Sequence, residues 1–270
     1  MYGLGVNRLG VTKTSEAFEW EPTNLFANGE QGAWYDPSDL TKVFQPDGTT
    51  PAVPWTSGEI LDANRVGKLV DKSGNGNDLV QTTLAKCPAL KLVDGLYFLE
   101  FDGIDDGLRS ANIDFTGTGT MSVFSGARKE ADEVAVVAEL SNNVGGSTGA
   151  FRLASIGGNV WRYTSKGTTG VNGNATGYTP PVTSVLTGLS DIANDVATIR
   201  VDGVEKASPT ADQGTGPFGN HPLNVGGRND GSLLQLDGRV YGLIVRGALS
   251  DASEIASAEK YIADKTGVAI

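Results

Sequence analysis

Two short acidic loops hold the densest sets of oxygen ligands in the chain. The first, DKSGNGND at 71–78, puts Asp71, Ser73, Asn75 and Gly76 at the first, third, fifth and sixth places of an EF-hand-like calcium loop, with Asp78 as a further oxygen. The twelfth place, where a bidentate Glu closes such a loop, is Thr82, and no helical runs flank the segment. The same residues suit a turn: Asp71 can accept backbone N–H groups, and Gly74 and Gly76 permit positive φ. A phosphate-binding P-loop is excluded, because Lys72 precedes the glycines and the strand-like LVQTTL follows them. The second loop, FDGIDDG at 101–107, offers Asp102, Asp105 and Asp106 to a hard cation, or to the caps of a turn shaped by Gly103 and Gly107. Folded against each other, the two loops would pool their carboxylates into a better calcium site than either makes alone. A structural turn is the leading reading for both loops, with calcium as the alternative and no other cofactor expected.

Other chemistry is sparse. Trp161 and Tyr163 alternate with Arg162, so the two rings share a strand face, where they pack into a core or stack on a sugar. The chain has one histidine, His221, and one cysteine, Cys87, which rules out an internal disulfide, a Cys-based zinc site and a multi-histidine metal site. His221, in GNHPLNVGG, reads as a loop residue before a strand, and Cys87, with no neighbouring base, as a small buried side chain. A sandwich glycosidase would line acids at alternate positions on one strand face. KEADEVAV comes nearest, with Glu130 and Asp132 on one face, but Val134 stands where the third acid belongs. No catalytic residue is assigned, and the chain is not expected to be an enzyme.

The elements that must position these residues are mostly β. The chain has 270 residues, of which 37 are Gly and 39% are hydrophobic, a globular composition rich in tight turns. No apolar run approaches the roughly 20 residues of a membrane-spanning helix. The net charge of −11 repels phosphate backbones and anionic membranes, which argues against nucleic acid and lipid as partners. From residue 66 onward short alternating runs recur between Gly, Asn, Ser and Thr. LYFLEFDG puts Tyr97, Leu99 and Phe101 on one face and Phe98, Glu100 and Asp102 on the other. Asp202-Gly203 between two alternating runs predicts a two-residue type I′ hairpin. GRVYGLIVRG is apolar on both faces, as in a strand covered on both sides.

Near the C-terminus the period changes. Ser250 or Asp251 as N-cap, Glu254 as the capping-box partner, a stripe of Ile255, Ala258 and Ile262, and Gly267 as C-cap predict one amphipathic helix over 251–266. Asp36-Pro37-Ser38 predicts a short helix over Leu40–Phe44. About ten short strands and a single helix give an all-β antiparallel β-sandwich of the jelly-roll type, one domain over 31–270. Residues 1–30, with Tyr2, Phe18, Trp20 and Phe26, read as an extended N-terminal arm whose aromatics would pack on a neighbouring subunit. MYGLGVNRLGVTKTSEAFEWEP has no apolar core of a secretory signal, so the expectation is a chain that does not pass the general export route.

The order of DKSGNGND, LYFLEFDGIDDGL, MSVFSGARK, VATIRVDGVEK and VYGLIVRGALSDASEIASAEKYIADKTGV resembles laminin-G-like, concanavalin A-like jelly-roll domains. The front part, NLFANGEQGAWYDPSDLTKVFQPDGTTP, resembles the start of such proteins encoded in bacteriophages and prophages, and the resemblance spans residues 24–270. It implies a two-sheet recognition module for glycans or proteins, sometimes holding calcium, and carries over no catalytic residue. A virion component of head or tail follows as the expectation: oligomeric in the particle, held to other virion proteins by the arm, with a host surface glycan as a further partner. A glycan-binding lectin or adhesin is the alternative, and a jelly-roll polysaccharide hydrolase or lyase ranks last.

Overall fold

The computed structural model describes residues 20–229 and 231–270. They form two antiparallel sheets packed face to face, with one helix laid on the outside of one sheet. At the edge of the eight-stranded sheet lie β15 (Val204–Ala207) and β14 (Val196–Val201), followed by β13 (Val182–Asp191) and β8 (Thr120–Lys129). Next come β17 (Asp237–Arg246), β6 (Leu96–Asp102) and β5 (Ala89–Val93), while β1 (Gly32–Tyr35) pairs with the far half of β17. The nine-stranded sheet begins at β12 (Gly170–Thr176), β11 (Val160–Lys166), β10 (Ala150–Ile156) and β9 (Ala135–Leu140). It continues through β16 (Asn220–Val225) and β7 (Leu108–Asp114) to β4 (Leu79–Val80), β3 (Lys68–Leu69) and β2 (Val43–Phe44). The all-β sandwich expected from the alternating runs is the observed fold.

Three devices set this architecture. Alternation sends Leu99, Phe101, Val123, Phe151, Leu153 and Val245 into the layer between the sheets. On the opposite face of the eight-stranded sheet, Trp34, Phe124, Val185 and Ile244 meet Ala258, Ile262 and Ala263 of the helix α1 (Ala252–Thr266). This sheet is therefore covered on both sides, which is why β17 is apolar on both faces. The helix starts where expected: Asp251 accepts from the N–H groups of Ser253 and Glu254, and Gly267 closes it at φ 72°. At the β14–β15 hairpin Asp202 and Gly203 both have positive φ, 51° and 76°, the type I′ geometry.

Other expectations are corrected. The short helix over Leu40–Phe44 is a single 3-10 turn, Leu40–Lys42, followed directly by β2. Its N-cap is Asp39, because Asp36 is drawn into the fold by Tyr261 and Lys265 of the helix, at 2.8 and 3.0 Å. There are seventeen strands among the described residues rather than about ten. β12, GVNGNAT, was hidden by its turn-like composition. It forms an edge strand because Val171, Gly173 and Ala175 face inward against Asn172 and Asn174 outward.

Only residues 20–30 of the expected arm fall among the described residues. Tyr2 and Phe18 lie outside the described residues. Trp20 sits edge-on to Tyr261 with ring centroids 6.3 Å apart, and Leu25 and Phe26 are buried against the helix side of the sheet. A 3-10 turn over Pro22–Phe26 brings them there. Residues 20–30 thus lie against the sandwich, with Trp20 and Phe26 in contact with their own chain.

Candidate functional site

The helix covers only one outer face of the sandwich. On the nine-stranded sheet the outer face is polar, and its strand register aligns side chains across six strands. Arg109, Asn224, Glu139, Arg152, Thr164 and Asn172 are successive cross-strand partners in one row. Arg162 pairs with Asn174 one row over, and Lys166 with Gly170 in the row on the other side. Each has a core residue as its sequence neighbour, so the period of 2 that buries Trp161, Tyr163 and Ser165 turns Arg162, Thr164 and Lys166 outward.

Between these rows and the loop 141–149 runs an open groove of about 270 Å³, lined by Arg152, Arg162, Lys166, Thr164 and Asn172. Its polar groups are partly preset. Arg162 donates through Nε to Asn174 Oδ1 at 2.7 Å, and Thr164 donates to Asn172 Oδ1 at 2.7 Å. Lys166 Nζ donates to the carbonyls of Val144 and Gly145, at 2.9 and 2.8 Å, and so pins the loop. Arg152 Nε is buried with no hydrogen-bond partner among the described residues.

The electrostatics are one-sided. Glu139 is fully buried, and Arg228 donates to it through Nε and Nη2 at 3.0 and 2.9 Å. It also accepts from Ser141 Oγ and from Val144 N, so its lone pairs are spent inside the protein. Arg152, Arg162 and Lys166 form no ion pair among the described residues. Burial pushes the Arg152 guanidinium below its ordinary range; Glu139 pulls the other way, and Arg228 and Arg162 push it down further. Burial lowers Arg162 as well. The groove is a site of concentrated positive charge on a chain of net charge −11.

Trp161 and Tyr163 do share a face, but it is the inner one. Both are completely buried. Tyr163 stacks on Phe151 at 6.1 Å and shares a hydrogen bond of 2.7 Å with Ser190 in the opposite sheet. Neither ring can meet a sugar; the outward-facing residue is Arg162, between them. Strict alternation of WRYTSK separates Arg162 from the two rings but does not say which set faces outward.

The two acidic loops do not pool their carboxylates. In 71–78, Asp71 is buried and fully engaged: Oδ1 accepts from Trp34 N at 2.9 Å and Ser73 N at 2.8 Å, and Oδ2 from Ser73 Oγ at 2.8 Å and Asn77 N at 3.0 Å. Asn75 donates to the carbonyls of Glu30 and Gly32, and Asp78 accepts from Asp71 N and pairs with Lys68 at 3.0 Å. Asp71 and Asn75 therefore clamp β1 to the loop between β3 and β4, Asp78 holds that loop closed, and this donor set does not fit calcium. Asp102, Asp105 and Asp106 do converge, each offering an oxygen within 4.8 Å of the others. Asp106 Oδ1 is buried without a hydrogen bond, and Arg65, 3.7 Å away, brings one positive charge to three carboxylates. Burial, and then the charge of Asp102, push Asp106 up to about 7. An all-oxygen, under-neutralised set of this kind fits a hard divalent cation.

The remaining candidates are structural. His221 lies within β16 rather than before it, its Nε2 2.8 Å from Thr148 O. Cys87 is buried and its thiol is pushed up to about 12, mainly by burial. Glu130 and Asp132 sit in a turn before β9, not on a strand face.

No protein-family model matches the chain, and no curated protein matches it. Solved structures do. The binding domain of botulinum neurotoxin serotype D superposes with a TM-score of 0.55 at 11% identity, over 72% of this chain and 48% of that one. The receptor binding domain of botulinum neurotoxin type G gives 0.54 at 12%, over 73% and 49%. Domain 4 of AbnA, a GH43 extracellular arabinanase from Geobacillus stearothermophilus solved in complex with arabinotriose, gives 0.55 at 15%, over 85% and 100%. The chain thus spans about half the length of the neurotoxin structures and the whole of the arabinanase domain. What it shares with all three is the two-sheet β-sandwich fold.

Proposed function

We propose that the chain is a carbohydrate-binding module that takes a saccharide on the open face of its nine-stranded sheet. The carrying observation is the groove itself: one outer face of the sandwich is sealed by α1, while the other presents Arg152, Arg162, Thr164 and Asn172 in register around an open cleft. Outward-pointing hydroxyl, amide and guanidinium groups on a rigid sheet are what sugar hydroxyls require. Two structures of the same fold support this reading by analogy. The arabinanase domain holds arabinotriose, and botulinum neurotoxin type C depends for cell entry on interaction with two ganglioside molecules. No catalytic step is included, since Glu139, the acid within the face, is saturated by Arg228, Ser141 and Val144.

A glycan array followed by titration calorimetry tests it. The wild-type protein should bind at least one oligosaccharide class, and Asn172→Trp, at an exposed position lining the groove, should abolish binding without lowering the melting temperature by more than a few degrees. Binding untouched by that substitution would overturn the placement. A virion location rests on the sequence resemblance over 24–270, and such a particle would carry the module to host surface glycans. Mass spectrometry of purified particles should find the chain at stoichiometric level, and its confinement to the soluble fraction would refute that location. A calcium ion, when bound, would be held by Asp102, Asp105 and Asp106 and would brace the turn that joins β6 to β7.

A further inference from the structure

Resting on the sugar-binding reading, we infer that the groove selects saccharides that carry a carboxylate, and that Arg152 and Arg162 read it. Elsewhere this protein partners its buried and half-buried arginines: Arg228 with Glu139, Arg200 with Glu259, Arg246 with Glu30 and Glu254. With 32 acidic residues against 21 basic ones, acids were abundant, yet the groove brings Arg152, Arg162 and Lys166 together and gives none of them an ion pair among the described residues. Partly desolvating a guanidinium is costly when the nearest acid, Glu139 beside Arg152, is already paired with Arg228, and an anion entering the groove relieves that cost.

Geometry assigns the roles. Arg152 faces Thr164 across β10 and β11, and Arg162 faces Ala154, so the two guanidinium groups stand diagonally on neighbouring strands. Diagonal neighbours on a sheet face are about 7–8 Å apart at Cα, close enough for two long side chains to bracket one carboxylate. The planar fork of arginine matches a carboxylate with two parallel hydrogen bonds. Lys166 is committed to the Val144 and Gly145 carbonyls and contributes charge and loop position rather than a contact.

The absence of an aromatic platform points the same way. An aromatic ring offers a flat apolar surface on which a neutral pyranose can stack. Here no aromatic lines the groove among the described residues, because Trp161, Tyr163 and Phe151 all face the core. Selectivity must come from charge and hydrogen bonds, with Asn172, Asn174 and Thr164 left for hydroxyls.

The test uses the full chain and three probes: a sialylated oligosaccharide, an oligogalacturonate, and the same oligogalacturonate with its carboxyl groups reduced to alcohols. Calorimetry is run at low and at high NaCl, either side of the concentration at which exposed charges are screened within about 10 Å. At least one acidic probe should bind about tenfold or more tighter than the carboxyl-reduced one, and weaken at high salt. Arg152→Gln and Arg162→Gln should each weaken acidic binding about tenfold and the reduced probe by a much smaller factor. Arg152→Lys should restore only part of the loss, because it keeps charge without the fork. Whichever acidic probe binds names the source of the carboxylate. Equal binding of acidic and reduced probes, or no effect of either Arg→Gln change in proteins that melt normally, overturns the inference and leaves the sugar-binding reading standing. Silence of every saccharide in the array as well as these probes overturns both.

Discussion

Removing the carboxylate of Asp71 should be among the most damaging single changes outside the core. Its four acceptor contacts run to Trp34 N, Ser73 N, Ser73 Oγ and Asn77 N, all between 2.8 and 3.0 Å. Ser73 and Asn77 are half exposed, so water can replace their partner, and each of those bonds is worth about 0.5–1 kcal/mol. Trp34 is 3% exposed, and its N–H would be left buried and unpaired, at about 1.5–3 kcal/mol for a lost charged acceptor. Asp71→Ala is therefore expected to cost about 3–6 kcal/mol, or about 6–12 °C at about 2 °C per kcal/mol for a chain of this size. Asp71→Asn keeps an acceptor for Trp34 but turns an N–H₂ group toward Asn77 N, so it should fall between, at about 1–3 kcal/mol. Ser73→Ala removes one hydroxyl and should cost less than about 1 kcal/mol. Urea unfolding followed by tryptophan fluorescence measures all three. A loss below about 1 kcal/mol for Asp71→Ala, or a reversal of the order, would refute the clamp.

Four further outcomes follow from the same structure. Gly188→Ala places a methyl 2.3 Å from the Tyr163 ring and should cost about 2–3 kcal/mol in urea unfolding, whereas Gly74→Ala, with open space and φ 93°, should cost about 1 kcal/mol; equal losses would contradict the packing. Glu259 accepts from Arg200 at 2.7 Å and Thr187 at 2.9 Å beneath α1, so Glu259→Ala should lose about 3–5 kcal/mol, and a neutral result would refute the buried pair. Burial alone would raise Glu30, but Arg246 and the Asn28 N–H hold it down to about 2; the stability it gives is present above the unfolded value of about 4.3 and is lost as pH falls toward 2. The stability gap between wild type and Glu30→Gln should accordingly shrink as pH falls from neutral toward 2, and a constant gap would count against the linkage. Calcium should raise the melting temperature of wild type and of Asp71→Ala alike but not of Asp106→Asn, and a rise that survives Asp106→Asn would place the ion elsewhere.

Much of the frame was legible from local pattern. The helix could be read from Asp251, Glu254, Ile262 and Gly267 because capping and a 3.6-residue stripe are properties of contiguous sequence. The β14–β15 turn was legible for the same reason, since Asp-Gly satisfies two positive φ values without help from the fold. Asp71 could be read as an acceptor for its own loop, because Ser73 N and Asn77 N lie within six residues of it. Strands of two residues, such as β2, β3 and β4, left no periodic trace, and β12 was masked by glycine and asparagine. The fate of Trp20 and Phe26 could not be read either: whether an aromatic near a terminus packs on its own chain depends on a surface assembled from elements more than two hundred residues away.

The sequence by itself determined that the chain alternates, turns at its glycines and ends in a capped helix, since each of these follows from φ/ψ preference and side-chain period within about a dozen residues. It also determined that Trp161 and Tyr163 share one face and Arg162, Thr164 and Lys166 the other. Only the tertiary structure decided which face is which. A strand's period of 2 fixes two sets of side chains but not which of them meets the other sheet, and that choice belongs to the pairing of β10, β11 and β12 and to the helix that seals the opposite side of the sandwich. The same pairing brought Arg152 and Arg162 beside one another, and the long-range packing that made the groove carries no mark at any single residue.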